Sequence, residues 1–121
     1  MRHSDPKMLE QYPKDTLRHD KISPALYLGM TETMAYVKAR GSDIKIPVLF
    51  QIAGRERIVS RPETETFFKT IGSKQKQLIV YENSYHEIFN ELEAKRAFED
   101  VKIWLENKNF MPATLKPLQS L

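Results

Sequence analysis

Hydrophobic side chains recur at helical spacing in the segment that follows Ser23. Ser23 and Pro24 are typical of a helix start, because serine accepts a hydrogen bond from a free amide of the first turn and proline fits that turn. The helix is predicted to run to about Arg40, with Gly41 as its stop. The apolar positions of this helix are Leu26, Met30, Met34 and Val37. Because they share one face, we expect that face to be buried.

Two short apolar runs predict β-strands. The first is IPVLFQIAG, residues 46–54, which is rich in β-branched and aromatic residues and has its proline at the entry. The second is QLIVY, residues 77–81. Continuous apolar runs of this length are typical of parallel strands that are covered on both faces.

A helix is predicted after each strand. Ser60 and Glu63 have the spacing of a capping box, and Gly72 is expected to close the helix that they open. The last helix covers roughly residues 91–108, and its apolar positions are Ala94, Phe98, Val101 and Leu105. The order strand, helix, strand, helix requires a right-handed parallel crossover. The fold class is therefore predicted to be α/β.

Two parallel strands are too few for a sheet that is apolar on both faces, since sheets usually hold about four to six strands. A chain of 121 residues has the size of one domain. We therefore expect this chain to be the carboxy-terminal part of a larger α/β domain, or to complete its sheet with another chain. The alternative is a small two-layer domain with further strands that the pattern does not reveal.

A carboxylate and a histidine follow the two strands. Glu56 lies in AGRERIV after the first strand, and His86 lies in YENSYHEIFNE after the second. Reactive groups of open α/β sheets gather beyond the carboxyl ends of the strands. A carboxylate bonded to one imidazole nitrogen leaves the other nitrogen to take a proton from a nucleophile. The alternatives are a solvated loop histidine, and a Glu56 that pairs with Arg55 or Arg57.

No metal or cofactor is expected from the sequence. HEIFN begins like the helix of a zinc protease, but Asn90 occupies the place of the second histidine. The chain has no cysteine, and His3 and His19 lie in a polar leader, so a zinc site has few ligands to draw on. The four glycines are too scattered for a phosphate-binding loop.

Composition narrows the classes of partner and compartment. The 19 lysines and arginines are spread among 16 aspartates and glutamates, which leaves a net charge of +3 and no basic block. Nucleic acid is therefore not expected as a partner, while weak contact with an anionic lipid surface stays open. No stretch approaches the roughly 20 apolar residues of a membrane span. With no apolar signal segment at the amino terminus and no cysteine, a cytoplasmic location is expected.

The runs IPVLFQIAGRERIVS and KQLIVYENSYHEIFNE resemble the carboxy-terminal half of the α/β-hydrolase superfamily. The likeness is to the monoacylglycerol lipase and lysophospholipase-like group, which includes serine aminopeptidase S33 domains. Those proteins carry an apolar strand, a Gly-x-Asp-Arg-Ile-Val loop, a helix, a strand and a Tyr-His-Glu-hydrophobic-x-Asn-Glu motif. The leader DPKMLEQYPKDTLRHDKIS is similar to the end of their cap segment. The likeness covers about residues 4–109.

This resemblance implies an arrangement of the chain and roles for four residues. Residues 1–45 would be a partial cap and a connecting helix, 46–109 the βαβα part of the hydrolase domain, and 110–121 a loose tail. His86 matches the general base, and Glu56 takes the place of the usual aspartate, with one more methylene of reach. Glu87 and Asn90 match the motif and are expected to cap and orient the turn into the last helix.

The family's nucleophile lies in a Gly-x-Ser-x-Gly elbow ahead of the acid and the histidine, and no serine of this sequence is flanked in that way. We therefore expect part of a serine ester hydrolase of monoacylglycerol, lysophospholipid or a similar acyl ester, inactive alone and lacking the amino-terminal half. An alternative is a non-catalytic remnant that forms a homodimer or docks onto a partner. A third hypothesis is a lipid-surface binding module, suggested by the basic pI and the Met-bearing helix.

Overall fold

A computed structural model describes residues 5–17 and 21–107 of the chain. It begins with helix α1, Pro6–Gln11, which a 3₁₀ turn extends over Tyr12–Lys14. Helix α2, Pro24–Lys38, follows, and the Oγ of Ser23 accepts the N–H of Leu26 at 3.1 Å as predicted. His3, His19 and the predicted tail at 110–121 lie outside the described residues.

The remaining elements confirm the predicted α/β order. Strand β1, Val48–Ala53, is followed by helix α3, Arg61–Thr70, and strand β2, Lys76–Tyr81, by helix α4, Ala94–Glu106. A 3₁₀ turn over Ile88–Asn90 separates β2 from α4. The two strands pair in parallel, and within the described ranges they form the whole sheet. Both strands therefore direct their carboxyl ends to the same edge.

Hydrogen bonds at both ends define α3. The Oγ of Ser60 accepts the N–H of Glu63 at 3.3 Å, which confirms the predicted cap. At the other end the ammonium of Lys76 donates to the carbonyl oxygens of Phe68, Lys69 and Ile71 at 3.0, 3.0 and 2.7 Å. A cation is favourable at a helix carboxyl terminus, because the last carbonyl oxygens there lack partners within the helix. Lys76 thus joins the end of α3 to the first residue of β2.

The core lies between the sheet and α4. It consists of Ala53, Tyr81, Ile88 and Ala97, with Ile79 packed against it. The hydroxyl of Tyr81 donates to Asp100 at 2.8 Å and accepts from the Nε2 of Gln51 at 2.6 Å, and the same Nε2 donates to the carbonyl of Ala97 at 2.9 Å. Burial, together with the bond to Asp100, raises the pKa of Tyr81 to about 12. This network ties β1, β2 and α4 together below the carboxyl edge.

The prediction that one face of α2 is buried is wrong for the described structure. No residue of α2 is buried, and its four apolar positions are between 42% and 58% exposed. The strands likewise are only half-buried, except at their buried last residues, Ala53 and Tyr81, and at Gln77, which is exposed. The physical reason is that the described residues supply no further layer to lie over these surfaces. Helical spacing shows which side chains share a face, and a covering layer decides whether that face is buried.

No helix among the described residues is long and apolar enough to cross a membrane.

Candidate active site

The two loops that follow the strands meet at a glycine. The N–H of Gly54 donates to the carbonyl of Tyr81 at 2.8 Å, which continues the pairing of the strands past their ends. A Cβ added at Gly54 would lie 2.4 Å from the Cα of Glu82, inside the van der Waals distance. Only glycine therefore allows the two backbones to approach this closely, and their approach brings the next residues of both loops together.

Glu56 is anchored by the backbone of its own loop. Its Oε1 accepts the N–H groups of Arg57, Ile58 and Val59 at 2.8, 2.7 and 3.3 Å. The side chain of Glu56 is only 7% exposed. The loop therefore folds around the carboxylate and holds its second oxygen, Oε2, in one direction.

That second oxygen meets His86. The Nδ1 of His86 lies 2.8 Å from the Oε2 of Glu56, and the imidazole ring is 34% exposed. Because an ionised carboxylate can only accept, the proton of the neutral ring belongs on Nδ1. The other nitrogen, Nε2, then has a free lone pair that can take a proton.

The electrostatics of Glu56 favour its ionised form. Burial has the largest single effect and acts to raise the pKa of this carboxyl, but the other contributions together outweigh it. Hydrogen bonds from the N–H of Ile58, the ring of His86 and the N–H of Val59, with the positive charge of His86 when protonated, leave the pKa of Glu56 lowered. At neutral pH Glu56 is therefore the anionic acceptor that the pair requires.

The predicted alternative, in which Glu56 pairs with a neighbouring arginine, is not the arrangement found. The guanidinium of Arg55 donates to the Oδ1 of Asn83 at 3.4 Å, and that of Arg57 lies 5.8 Å from the ring centre of Tyr85. The contacts that fix Glu56 come from backbone amides and from His86.

The loop that carries His86 is held by two carboxylates that the sequence analysis did not single out. The Oγ of Ser84 donates to the Oε2 of Glu93 at 2.9 Å, and the N–H of Tyr85 donates to the Oε1 of Glu91 at 3.0 Å. The N–H of Arg55 donates to the carbonyl of Ser84 at 3.0 Å, which joins the two loops directly. The one signal in the sequence was the pair of glutamates just before a helix, a position where carboxylates often accept backbone bonds.

Glu87 and Asn90 bond to each other in the turn that leads into the last helix. The Nδ2 of Asn90 donates to the Oε2 of Glu87 at 3.0 Å, and the N–H of Asn90 donates to the carbonyl of Glu87 at 2.8 Å. These bonds close the 3₁₀ turn that precedes α4. The residue at the N-cap of α4 is Glu93, which makes no side-chain capping bond to the helix. Glu93 instead bonds Ser84, because the turn aims its carboxylate back at the histidine loop.

An apolar groove of about 610 Å³ begins beside the loop of Glu56. It lies between α2 and α3, and the apolar residues that line it are Met34, Val37, Ile58, Val59 and Phe67. Two of them, Ile58 and Val59, also donate their N–H groups to Glu56. The same loop therefore holds the acid on one side and contributes apolar wall on the other.

A parallel pair of strands with an acid and a histidine hydrogen-bonded at its carboxyl edge is characteristic of an α/β hydrolase. The structure superposes on the crystal structure of the monoacylglycerol lipase of Paleococcus ferrophilus with a TM-score of 0.79 and 25% sequence identity. The superposition covers 84% of this chain and 40% of that one. The fold is thus the carboxy-terminal portion of an α/β hydrolase, as the sequence predicted.

Residues 1–93 match the family of serine aminopeptidases S33, and the chain belongs to that family. It is 27% identical over 105 residues to a monoacylglycerol lipase of Mycolicibacterium smegmatis, a match that covers 84% of this chain and 36% of that protein. It is 26% identical over 100 residues to the phospholipase YtpA of Bacillus subtilis, with 82% of this chain and 39% of that protein covered. The chain therefore spans less than two-fifths of the length of either relative.

Proposed function

We propose that this chain supplies the general base, His86, and the orienting acid, Glu56, of a serine ester hydrolase. The observation that carries the proposal is the 2.8 Å bond from His86 Nδ1 to Glu56 Oε2 at the carboxyl edge of the sheet. The acid is anchored by three backbone amides, so its position does not depend on flexible side chains. Glutamate here takes the role for which the family's motif usually has aspartate.

In the proposed reaction His86 moves one proton in each direction. Its Nε2 takes the proton of a serine hydroxyl as the serine oxygen attacks the acyl carbonyl, and it later gives that proton to the oxygen of the leaving alcohol. Glu56 stabilises the imidazolium that exists between the two transfers. In hydrolysis of the acyl-enzyme, water takes the place of the serine as the nucleophile: the Nε2 of His86 takes a proton from the attacking water and then gives it to the serine oxygen that leaves.

The proposed substrate is a monoacylglycerol, a lysophospholipid or a similar acyl ester. Two relatives bear the names monoacylglycerol lipase and phospholipase, and a solved monoacylglycerol lipase shares the fold. The apolar groove beside the Glu56 loop has a lining that suits an acyl chain. That residues 1–45 contribute part of a cap over the acyl group stays a prediction.

The nucleophile of the proposed reaction is not among these 121 residues. No serine of the sequence lies in a Gly-x-Ser-x-Gly elbow. We therefore propose that the chain alone does not turn over esters, and that a hydrolase portion with the elbow and the oxyanion hole must be joined to it.

A chimaera tests this function. Residues of this chain would replace the matched segment of the Paleococcus ferrophilus monoacylglycerol lipase, and hydrolysis of a p-nitrophenyl ester and of a monoacylglycerol would be measured. We expect the chimaera to be active, His86→Ala to lower kcat by about 10²- to 10⁴-fold, and Glu56→Gln to lower it less. The matched control is Glu99→Gln, an exposed carboxylate on α4, which should leave kcat unchanged.

Two results would contradict the proposal. One is a folded, active chimaera in which His86→Ala keeps full activity. The other is ester turnover by the 121-residue chain alone that disappears with His86→Ala, since this would mean that the nucleophile lies within the chain.

The second candidate function is a non-catalytic module that dimerises or docks onto a partner. The exposed apolar face of α2 and the short two-stranded sheet favour it, because strand edges and apolar faces are sites of association. Size-exclusion chromatography with light scattering tests it. A compact monomer at high protein concentration would count against a dimer, and the chimaera with its point variants would then decide between catalysis and docking.

A further inference from the structure

We propose that Ser84 and Glu93 are positioning residues that hold the histidine loop against the acid loop and so set the bond between His86 and Glu56. The inference rests on the proposed function, because the bond matters for catalysis only if His86 is the base. Neither residue belongs to the histidine motif of the family, and neither was predicted to lie at the site from its position after a strand.

Ser84 is the point at which three parts of the site meet. It is 1% exposed, and its N–H donates to the carbonyl of Tyr81 at the end of β2 at 3.0 Å. Its carbonyl accepts the N–H of Arg55 at 3.0 Å, and its Oγ donates to Glu93 at 2.9 Å. One buried residue therefore contacts the end of the strand, the acid loop and the entry to α4.

The spacing along the chain makes this contact decisive for the pair. Ser84 lies two residues before His86, and Arg55 lies one residue before Glu56. The bond between the N–H of Arg55 and the carbonyl of Ser84 therefore sets the distance between the backbone that carries the imidazole and the backbone that carries the acid. Because proton transfer is sensitive to displacements of about 1 Å, a small loosening here is enough to separate Nδ1 from its acceptor.

The carboxylate of Glu93 holds Ser84 in place. A hydrogen bond from a buried hydroxyl to a carboxylate is charge-assisted and stronger than a neutral one. The Nη1 of Arg96, one turn further along the chain, lies 3.4 Å from the other oxygen of Glu93. The neighbouring bond from Tyr85 N–H to Glu91 holds the next residue of the loop, so the segment before α4 restrains two successive positions.

The tautomer of His86 reports this positioning without any ester turnover. The full chain would be labelled with ¹⁵N-histidine, and long-range ¹H–¹⁵N spectra would assign the protonated ring nitrogen of His86. In the wild type we expect a single form with the proton on Nδ1, because Glu56 accepts there. Ser84→Ala and Glu93→Ala are expected to give a mixture of both tautomers and to move the pKa of Glu56 upward, because its bond to His86 is lost.

Two further variants separate positioning from general loss of stability. Glu93→Gln keeps an oxygen that can accept from Ser84, and it is expected to restore the single Nδ1-protonated form. Glu99→Ala removes another carboxylate of α4 that bonds only toward Lys102 in the described contacts, and it should leave the His86 signals unchanged.

The inference is overturned if Ser84→Ala and Glu93→Ala keep native circular dichroism and the single Nδ1-protonated form. It is also overturned if both variants unfold, because the contact would then hold the whole fold rather than the two loops. Failure of the proposed function looks different: the tautomer responds to the variants as expected, but the chimaera shows no dependence on His86.

Discussion

The carboxyl edge of the sheet and helix α2 differ in how far their side chains find partners within the described chain. At the edge, Glu56, Ser84 and His86 each bond to partners within the chain, and the side chain of Glu56 is nearly inaccessible to solvent. Along α2, fifteen residues form a capped helix of which none is buried. The side chains at the carboxyl edge therefore find their partners within the described residues, whereas the apolar face of α2 lacks a covering layer there.

The range of the forces explains the contrast. Hydrogen bonds in the two loops join residues that the parallel pairing of β1 and β2 already places side by side, so two strands suffice to form them. Burial of an apolar face requires a second layer of comparable area. The chain spans 36% and 40% of the two monoacylglycerol lipases named above, and its described part has only the layers of a two-stranded sheet and its helices.

The largest expected effect is at the glycine that lets the two loops approach. Gly54→Ala places a methyl group against the backbone of Glu82, which cannot rotate away as a side chain could. We expect a loss of about 3 kcal/mol in the free energy of unfolding, measured by urea denaturation with circular dichroism. A loss below 0.5 kcal/mol would show that the edge is looser than described.

The next effect concerns the network below the edge. Tyr81→Phe keeps the ring but removes the hydroxyl that joins Gln51 to Asp100. We expect a loss of about 2 kcal/mol, because two part-buried polar groups lose a partner. Tyr36→Phe, on exposed α2, is the matched control and should change stability by less than about 0.5 kcal/mol. Equal losses from both variants would remove the contrast between the two regions.

A smaller effect should appear in acid. The pKa of Glu56 is lowered in the folded state, so its contribution to stability is complete above the ordinary glutamate value of 4.5 and is lost as the pH falls through the lowered pKa. Glu56→Gln should therefore flatten the fall of stability with pH below 4.5. Urea unfolding at several pH values measures this. Parallel curves for the two proteins would mean that the carboxylate is not held as described.

The smallest effect has the opposite sign. Gly29 lies within α2, and a Cβ there would meet nothing within 4 Å. Gly29→Ala should therefore stabilise the chain by about 0.5–1 kcal/mol, because alanine has the better helix propensity. It is the counterpart of Gly54→Ala, since the same substitution is tested in the two regions. Destabilisation by Gly29→Ala would indicate that something covers α2 in solution.

Much of the architecture followed from local patterns. The caps at Ser23 and Ser60, the two strands and the parallel crossover were all predicted, because each depends on neighbouring residues. The contact between Glu56 and His86 was one of the alternatives that the sequence left open, since the shared edge brings the two loops together without selecting the partner of either side chain. Their catalytic roles stay a proposal.

The parts that were missed depend on contacts between distant residues. The bond of Ser84 to Glu93 and the capping of α3 by Lys76 have no periodic signal. A serine or a glutamate in a loop can form hydrogen bonds with many different groups, and the folded backbone decides which of those groups lies within reach. The prediction for α2 failed for a related reason: the spacing of its apolar residues does not show whether another layer packs against that face.

The sequence by itself determined the elements, their order and the family, and it placed Glu56 and His86 after the two strands. Capping signals and hydrophobic periodicity depend on neighbouring residues, and the order of the strands and helices is their order along the chain, so all of these can be read from the sequence. The tertiary structure alone decided which carboxylates brace the histidine loop and how little of α2 is covered. Those outcomes depend on distances between segments, which are set only when the chain has folded.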